Sequence, residues 1–166
     1  MEWTNSVKPD TFQEITRDEG RIIIPFRDKE GNVFGFQGRS LSNSGLRYIT
    51  VLLEEGRPKI YGLNSIDYDK RIYITEGPFD SMLLSIDSLH GTDHVFVYDN
   101  EPRNVQIVSR ISKHITDGES VVIWPSDIKE KDINDMVLAG HDVQRIVSSC
   151  SYQGLTATLK LNDWRK

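Results

Sequence analysis

The first part of the chain alternates short apolar runs with turn-like polar stretches. Residues 21–26 and 33–37 are rich in β-formers and flank the glycine-containing segment 28–32, a pattern that predicts a β-hairpin. A third strand is predicted over residues 46–53. Residues 1–20 are polar with little periodicity, and we expect them to form a loosely structured lead-in.

After residue 70, strand-like and helix-like patterns take turns. Strands are predicted over residues 71–75, 94–98 and 121–124. Apolar residues at helical spacing predict helices that begin near Phe79, Val105 and Ile133. Strand–helix units of this length favour a parallel sheet with right-handed crossovers. A last β-like run, residues 156–161, predicts an additional edge strand.

These patterns predict an α/β fold with two parts. Residues 1–69 would form a small β-rich subdomain, and residues 70–166 a mostly parallel sheet flanked by helices. The length of 166 residues suits one ordinary domain with a small appendage.

Composition narrows the class of protein. Apolar residues make up 37% and charged residues 27%, and no apolar run reaches the roughly 20 residues that a membrane-spanning helix requires. No signal-peptide pattern follows Met1, and the single cysteine, Cys150, excludes an intramolecular disulfide and a cysteine-rich zinc site, so we expect a reducing, cytoplasmic location. The net charge of −5 means that binding to a polyanion would depend on local basic patches.

Three acidic corners follow predicted strands. Their sequences are E-G-P-F-D from Glu76, D-N-E from Asp99 and K-D-I-N-D from Lys131. The carboxyl ends of adjacent parallel strands converge on one crevice, so oxygens of these side chains are expected to meet there. Uncompensated acids repel one another unless a cation lies among them, and a hard divalent ion such as Mg²⁺ prefers oxygen ligands. The pattern therefore predicts a metal site for phosphate chemistry.

Each corner also has a purely local interpretation. Glu76 could be a helix N-terminal acid, with Asp80 a supporting residue one turn later. Asp99 and Glu101 could belong to a polar turn, and Asp132 could be a helix cap. Three such corners on consecutive strand–helix units favour the shared site over three independent local roles.

The three corners resemble the three signatures of the Toprim domain, which occurs in bacterial-type primases, type IA and II topoisomerases and some nucleases. The stretch from Arg21 to Arg39 resembles the arginine-to-arginine strand pair of the RNA polymerase domain of bacterial-type replicative primases. The basic segment from Arg47 to Leu63 resembles the one that follows in that family, and the acidic corners look like those of tailed-bacteriophage primases. The resemblance covers about residues 20–140.

The resemblance implies roles for the acids. Glu76 would be the central acid, in a metal-bridged or general acid/base role. Asp99 and Glu101 would bind Mg²⁺, with Mn²⁺ as an alternative ion, and Asp132 would contribute from further away. Two metals would activate the primer 3′-hydroxyl and stabilise the pyrophosphate leaving group.

The resemblance also implies a basic surface. Its members, expected to line the path of the triphosphate and the template, are Arg21, Arg39, Arg47 and Lys59. A guanidinium suits bidentate contact with phosphate, and lysine acts as a point charge. Each of these residues could instead be a solvated surface charge.

The leading hypothesis is a DNA primase catalytic core that makes RNA primers on single-stranded DNA from nucleoside triphosphates. The alternatives are a Toprim-type nuclease and a non-catalytic nucleic-acid or nucleotide-binding subunit of a replication complex. The 166 residues contain a single cysteine, and we expect neither a cysteine-rich zinc module nor a helicase-binding module among them. We therefore expect the chain to work with a replicative helicase and a separate zinc-binding module, in a bacterial or phage-infected cell and away from membranes.

Two of the three corners depart from the usual family pattern. The second corner is normally D-G-D, whereas here Asn100 and Glu101 follow Asp99. The last corner has Ile133 and Asn134 where bacterial relatives prefer proline and aspartate, which removes one formal charge. The departures leave open whether one metal or two would bind.

Overall fold

The computed structural model describes residues 2–7, 9, 19–42, 46–84 and 94–166. The chain divides into two compact units, residues 1–66 and residues 67–166. The architecture is mixed α/β, with one small antiparallel sheet and one mostly parallel sheet. Among the described residues, no helix combines the length and apolar character needed to cross a membrane.

The first unit is built on a three-stranded antiparallel sheet in the order β1-β2-β3. Its elements are helix α1 (Glu2–Val7), β1 (Arg21–Arg27), β2 (Val33–Ser40), β3 (Tyr48–Leu52) and a short 3₁₀ helix (Leu63–Ser65). Helix α1 lies in the stretch predicted to be loosely structured. That prediction was wrong for these six residues, because fewer than two helical turns are too few for apolar periodicity to be visible.

The predicted hairpin between β1 and β2 is confirmed. Asp28 organises its turn, since Asp28 Oδ1 accepts a hydrogen bond from Asn32 N at 2.8 Å and Asp28 O accepts one from Gly31 N at 3.0 Å. Gly31 has a φ of 89°, a left-handed conformation that glycine adopts without a steric penalty. The turn therefore sets the pairing that places Arg21 opposite Ser40.

The second unit contains a four-stranded sheet in the order β4-β5-β6-β7. The strands are β4 (Ile72–Thr75), β5 (His94–Val97), β6 (Ser120–Val122) and β7 (Ser151–Tyr152). The first three run parallel, and β7 pairs antiparallel with β6. The helices are α2 (Pro78–Leu83), α3 (Val105–Thr116), α4 (Ile133–Leu138), α5 (Val143–Ser149) and α6 (Gly154–Trp164).

Alternating residues of the central strands form two apolar clusters. Val95, Val97 and Val122 pack with buried residues of α4 and α5. Val121 and Ile123 pack with buried residues of α3 and α6. The parallel strands are thus covered by helices on both sides, which holds their carboxyl ends on a rigid support.

The last predicted strand was wrong. Residues 156–161 lie in helix α6, and the edge strand is the preceding two-residue β7. Ala157 and Leu161 are four residues apart and both buried, so helical spacing governs this segment, whereas its threonines had suggested a strand. The helix predicted to begin near Phe79 is α2, which ends at Leu83; Ile86, which was also expected in this helix, lies outside the described residues.

Candidate metal centre at the carboxyl ends of the parallel strands

Glu76 and Asp99 follow two neighbouring strands at the same end of the sheet. Strands β4 and β5 are parallel, with Thr75 in register with Val97, so the residues that follow them leave the sheet at one edge. Gly77 is the N-cap of α2 and Pro78 opens the helix, as the sequence indicated. Glu76 is therefore held between a strand end and a helix start.

Asp99 lies in a strongly negative environment. Its side chain is 22% exposed, and its pKa is raised to about 6 by burial and by the negative charges of Glu76 and Asp80. Asp132 raises the pKa further, whereas Lys131 lowers it. A carboxylate in these surroundings is stabilised by any cation that approaches it.

Two basic side chains neutralise the acids in this structure. Lys131 Nζ lies 3.4 Å from Glu101 Oε1 and 3.9 Å from Asp99 Oδ2. Arg110 Nη1 lies 3.4 Å from Glu76 Oε1. Both basic side chains are more than half exposed, so these are weak, solvent-screened pairs that a metal ion could replace.

The acids do not form a ready-made three-ligand cage. Among the described residues, no group of three or more His, Cys, Asp or Glu side chains could by itself hold a metal ion. Mg²⁺ commonly binds through one or two carboxylates and completes its shell with water and substrate phosphates. Asp99 and Glu101, which share one lysine, fit that mode of binding in donor type and number.

Asp132 takes the local role that the sequence had left open. Its Oδ1 accepts a hydrogen bond from Asp135 N at 2.8 Å and caps the N-terminus of α4. One carboxylate oxygen is thereby engaged with the helix, although the charge of Asp132 still acts on Asp99. The metal-binding roles of Glu76, Asp99, Glu101 and Asp132 stay predictions.

Sequence reasoning missed the role of Asn100. Its Nδ2 donates to Ile128 O at 3.1 Å and to Glu130 O at 3.0 Å, and its backbone N donates to Lys131 O. Asn100 thus ties the second acidic corner to the loop that precedes the third. An amide in place of the family's usual glycine was the available signal, but its partners lie about 30 residues away and have no pattern in the sequence.

Arg21 is enclosed within the first unit. Its side chain is 7% exposed, forms an ion pair with Glu19, and donates to Gly38 O at 3.2 Å and Leu46 O at 2.9 Å. These contacts give Arg21 a structural role at the sheet edge. In this arrangement the guanidinium group of Arg21 is not accessible for the contact with nucleic acid that was predicted for it.

Arg39 and Arg47 surround one aromatic ring. Their Cζ atoms lie 5.3 Å and 5.8 Å from the ring centroid of Tyr48, and Arg39 also donates a hydrogen bond to the Tyr48 hydroxyl. Tyr48 is 40% exposed, and Lys59 is exposed as well. Cations held around an accessible aromatic ring are typical of surfaces that bind single-stranded nucleic acid. Sequence analysis had singled out the basic residues but not Tyr48.

Comparison with known proteins identifies relatives of this chain. No protein-family model matches it. The DNA primase of enterobacteria phage T4 is 32% identical over 99% of this chain and 54% of its own length. The DNA primase of Escherichia coli K12 is 33% identical over 43% of this chain and 15% of its own length. The chain thus spans about half the length of the phage relative.

Solved structures with the same fold are also primases. The Escherichia coli primase catalytic core aligns with a TM-score of 0.59 and 19% identity, covering 86% of this chain and 56% of that one. A DNA primase domain from Pseudomonas aeruginosa aligns with a TM-score of 0.60 and 19% identity, covering 86% and 55%. At these identities the likeness concerns the fold. Taken with the sequence relatives, it shows that the chain is similar to DNA primases and has the fold of a primase catalytic core.

Proposed function

We propose that this chain is the catalytic core of a DNA primase, which synthesises RNA primers on single-stranded DNA by divalent-metal-dependent nucleotidyl transfer. The observation that carries the proposal is the concentration of negative charge around Asp99, at the carboxyl end of a parallel strand, in a chain whose sequence relatives are DNA primases. Negative charge at that edge would repel a polyanion unless a metal ion lay between the two.

Asp99 and Glu101 would hold the divalent ion, Mg²⁺ or Mn²⁺. Such an ion activates a hydroxyl nucleophile and neutralises charge on a phosphate leaving group. Glu76 is proposed as the acceptor of the proton from the primer 3′-hydroxyl, because it leaves the sheet at the same edge as Asp99 and acts on it electrostatically. Arg110, whose Nη1 lies 3.4 Å from Glu76 Oε1, would orient that carboxylate through an ion pair.

Arg39, Arg47 and Lys59 are proposed to contact the template and the incoming triphosphate. The arrangement of two guanidinium groups around the exposed Tyr48 ring supports this proposal, because it offers both phosphate contacts and a stacking platform. A solved primase catalytic domain bound to single-stranded DNA shares the fold, with a TM-score of 0.56 and 21% identity. Arg21 would support this surface from within the sheet.

The wider assignments are also proposals. Residues 1–69 would be the first part of the primase RNA polymerase core and residues 70–166 its Toprim domain. We propose that a replicative helicase and a separate zinc-binding module act with this chain in the cytoplasm of a bacterial or phage-infected cell.

One observation favours a second candidate, a non-catalytic binding subunit of a replication complex. Among the described residues no group of three or more His, Cys, Asp or Glu side chains could hold a metal ion, and Lys131 and Arg110 already neutralise part of the acidic edge. A subunit of this kind would bind nucleic acid but would not bind a divalent ion saturably at Asp99.

Product analysis tests the proposal. The full chain would be incubated with single-stranded DNA, labelled ribonucleoside triphosphates and Mg²⁺ or Mn²⁺, and Mn²⁺ binding would be followed by calorimetry on the same sample. Primer synthesis that is lost in Glu76→Gln and Asp99→Asn but retained in Asp163→Asn supports the primase. Asp163 is a suitable control because it pairs with Lys166 on the surface. Template cleavage would indicate the nuclease, and absence of both products and saturable Mn²⁺ binding would indicate the non-catalytic subunit.

A further inference from the structure

The last helix of the chain is bonded to the second acidic corner. Trp164 Nε1, near the C-terminal end of α6, donates a hydrogen bond to Asn100 Oδ1 at 3.0 Å. The Trp164 ring is partly buried and packs against both apolar clusters of the second unit. The direction of its N–H is therefore set by the core and not by the corner that it contacts.

Asn100 uses its whole amide in this contact. Its Oδ1 accepts from Trp164, while its Nδ2 donates to the carbonyls of Ile128 and Glu130. The side chain thus joins three segments: the corner itself, the loop before α4 and the end of α6. A residue with so many distant partners holds its own backbone, and that of its immediate neighbours, in one position.

The residue on the other side of Asp99 is held in a similar way. Trp124 Nε1 donates to Tyr98 O at 2.7 Å. The backbone of Asp99 is consequently fixed both before and after the carboxylate by an indole that belongs to the core. Glu101 follows Asn100 directly, and its backbone N donates to Asp99 O at 2.8 Å, so it shares this support.

We propose that Asn100 and Trp164 form a positioning pair for the divalent ion, holding Asp99 and Glu101 in a geometry that can bind it without contacting it themselves. The inference rests on the proposed function, in which these acids hold a metal. Partners that orient metal ligands through hydrogen bonds commonly change metal affinity by 10–100-fold when they are removed. Helix α6 thereby becomes part of the metal site, although it carries none of the proposed ligands.

The test measures Mn²⁺ affinity of the full chain by calorimetry, together with the thermal stability of the metal-free protein. Trp164→Phe keeps an aromatic ring at this position and removes the N–H donor together with part of the indole, so it should weaken Mn²⁺ binding by about fivefold, as expected for one hydrogen bond. Asn100→Ala should weaken it by about tenfold or more. In the Asn100→Ala background, Trp164→Phe should cause no further loss of affinity, because its acceptor is already gone.

A matched control lies at the other end of the same helix. Gln153, the N-cap residue of α6, donates through Nε2 to Gly118 O. Neither of these two residues belongs to an acidic corner, and this hydrogen bond involves no residue of one. Gln153→Ala should lower thermal stability and leave Mn²⁺ affinity within twofold of wild type. A general loosening of α6 would instead lower affinity in both the Gln153 and Trp164 variants.

The outcomes separate the two proposals. If wild type binds Mn²⁺, Asp99→Asn abolishes binding and Trp164→Phe binds as wild type does, the positioning role is overturned and the metal site stands. Reduced affinity in Gln153→Ala equal to that in Trp164→Phe also overturns the positioning role. Absence of saturable Mn²⁺ binding to wild type overturns both proposals. Should Asn100→Ala fail to fold, Trp164→Phe alone decides.

Discussion

The Lys131 ammonium lies 3.4 Å from Oε1 of the Glu101 carboxylate. The same nitrogen is 3.9 Å from Asp99 Oδ2, so one exposed cation lies close to both acids that we propose as metal ligands. Its side chain is 56% exposed, which allows it to move aside when a divalent ion binds. The lysine and the ion would compete for the same negative charge.

Removal of this lysine should therefore tighten metal binding. We expect Lys131→Ala to bind Mn²⁺ about two- to fivefold more tightly than wild type at low ionic strength, with a smaller difference at 0.5 M salt because exposed charges are screened. Calorimetric titration at two salt concentrations measures this. Lys129→Ala, which removes an equal charge from a lysine bonded to Ser126 O, is the control and should change affinity less. Equal effects of the two substitutions would contradict direct competition.

The raised pKa of Asp99 predicts a pH-dependent stability in the absence of metal. The folded protein holds a proton on Asp99 up to about pH 6, whereas the unfolded chain releases it near pH 4, so this contribution is fully present below pH 4 and is lost as the pH rises through 6. Asp99→Asn should remove this loss of stability with rising pH. We expect the variant to be more stable than wild type at pH 8 by about 1–2 kcal/mol, a value discounted for partial exposure, and similar to wild type at pH 4.

Urea unfolding in the presence of a chelator, at both pH values, checks this expectation. Asp163→Asn is the control, because the partner Lys166 lowers the pKa of that carboxyl and the substitution should bring no gain at pH 8. A destabilised Asp99→Asn at pH 8 would mean that the carboxylate is already compensated within the protein.

Metal binding should reverse the loss of stability that ionisation of Asp99 causes at high pH. Mn²⁺ at 100 times its dissociation constant should stabilise the wild-type protein by about 2.7 kcal/mol, because it binds the folded state alone. At one fixed Mn²⁺ concentration the stabilisation should be larger at pH 8 than at pH 5.5, because protons compete for Asp99 at the lower pH and raise the dissociation constant. Thermal unfolding with and without Mn²⁺ measures it, and Asp99→Asn should show no such rise. An equal rise in that variant would place the ion elsewhere.

The Tyr48 ring should contribute to binding of single-stranded DNA. Tyr48→Ala is expected to weaken binding by about 1–3 kcal/mol, the range for one stacked base, whereas Tyr48→Phe should retain most of it. Arg39→Ala should lower the slope of log affinity against log salt by about 0.7, as for one lost phosphate contact. Fluorescence anisotropy with a labelled oligonucleotide checks both. Arg27→Ala is the matched control, since Arg27 donates to Gly31 O in the hairpin turn.

Arg21 should affect stability and not DNA binding. Lysine cannot reproduce its contacts with Glu19, Gly38 O and Leu46 O, so Arg21→Lys should destabilise the protein by about 1–3 kcal/mol. Denaturant unfolding gives the stability, and anisotropy below the unfolding transition gives the DNA affinity. Unchanged stability with weakened DNA binding would indicate instead that Arg21 contacts nucleic acid.

Local patterns in the sequence determined the elements that carry the site. Glycine and proline after Glu76 predicted the strand end and helix start found there, because both residues act through their own backbone. The period of apolar residues predicted β4, β5 and α3 in the same way. The acidic corners could therefore be assigned to strand ends without any tertiary information.

Contacts between distant segments decided the rest. The burial of Arg21, the sharing of Lys131 by two acids and the bond between Asn100 and Trp164 depend on residues that are separated in sequence by up to 64 positions. Residues 156–161 became helical because Ala157 and Leu161 pack against the sheet, which overrode the local preference of the threonines. Side-chain partners are selected by packing and by hydrogen-bond geometry in three dimensions. Neither of these produces a repeating pattern of residues in the sequence.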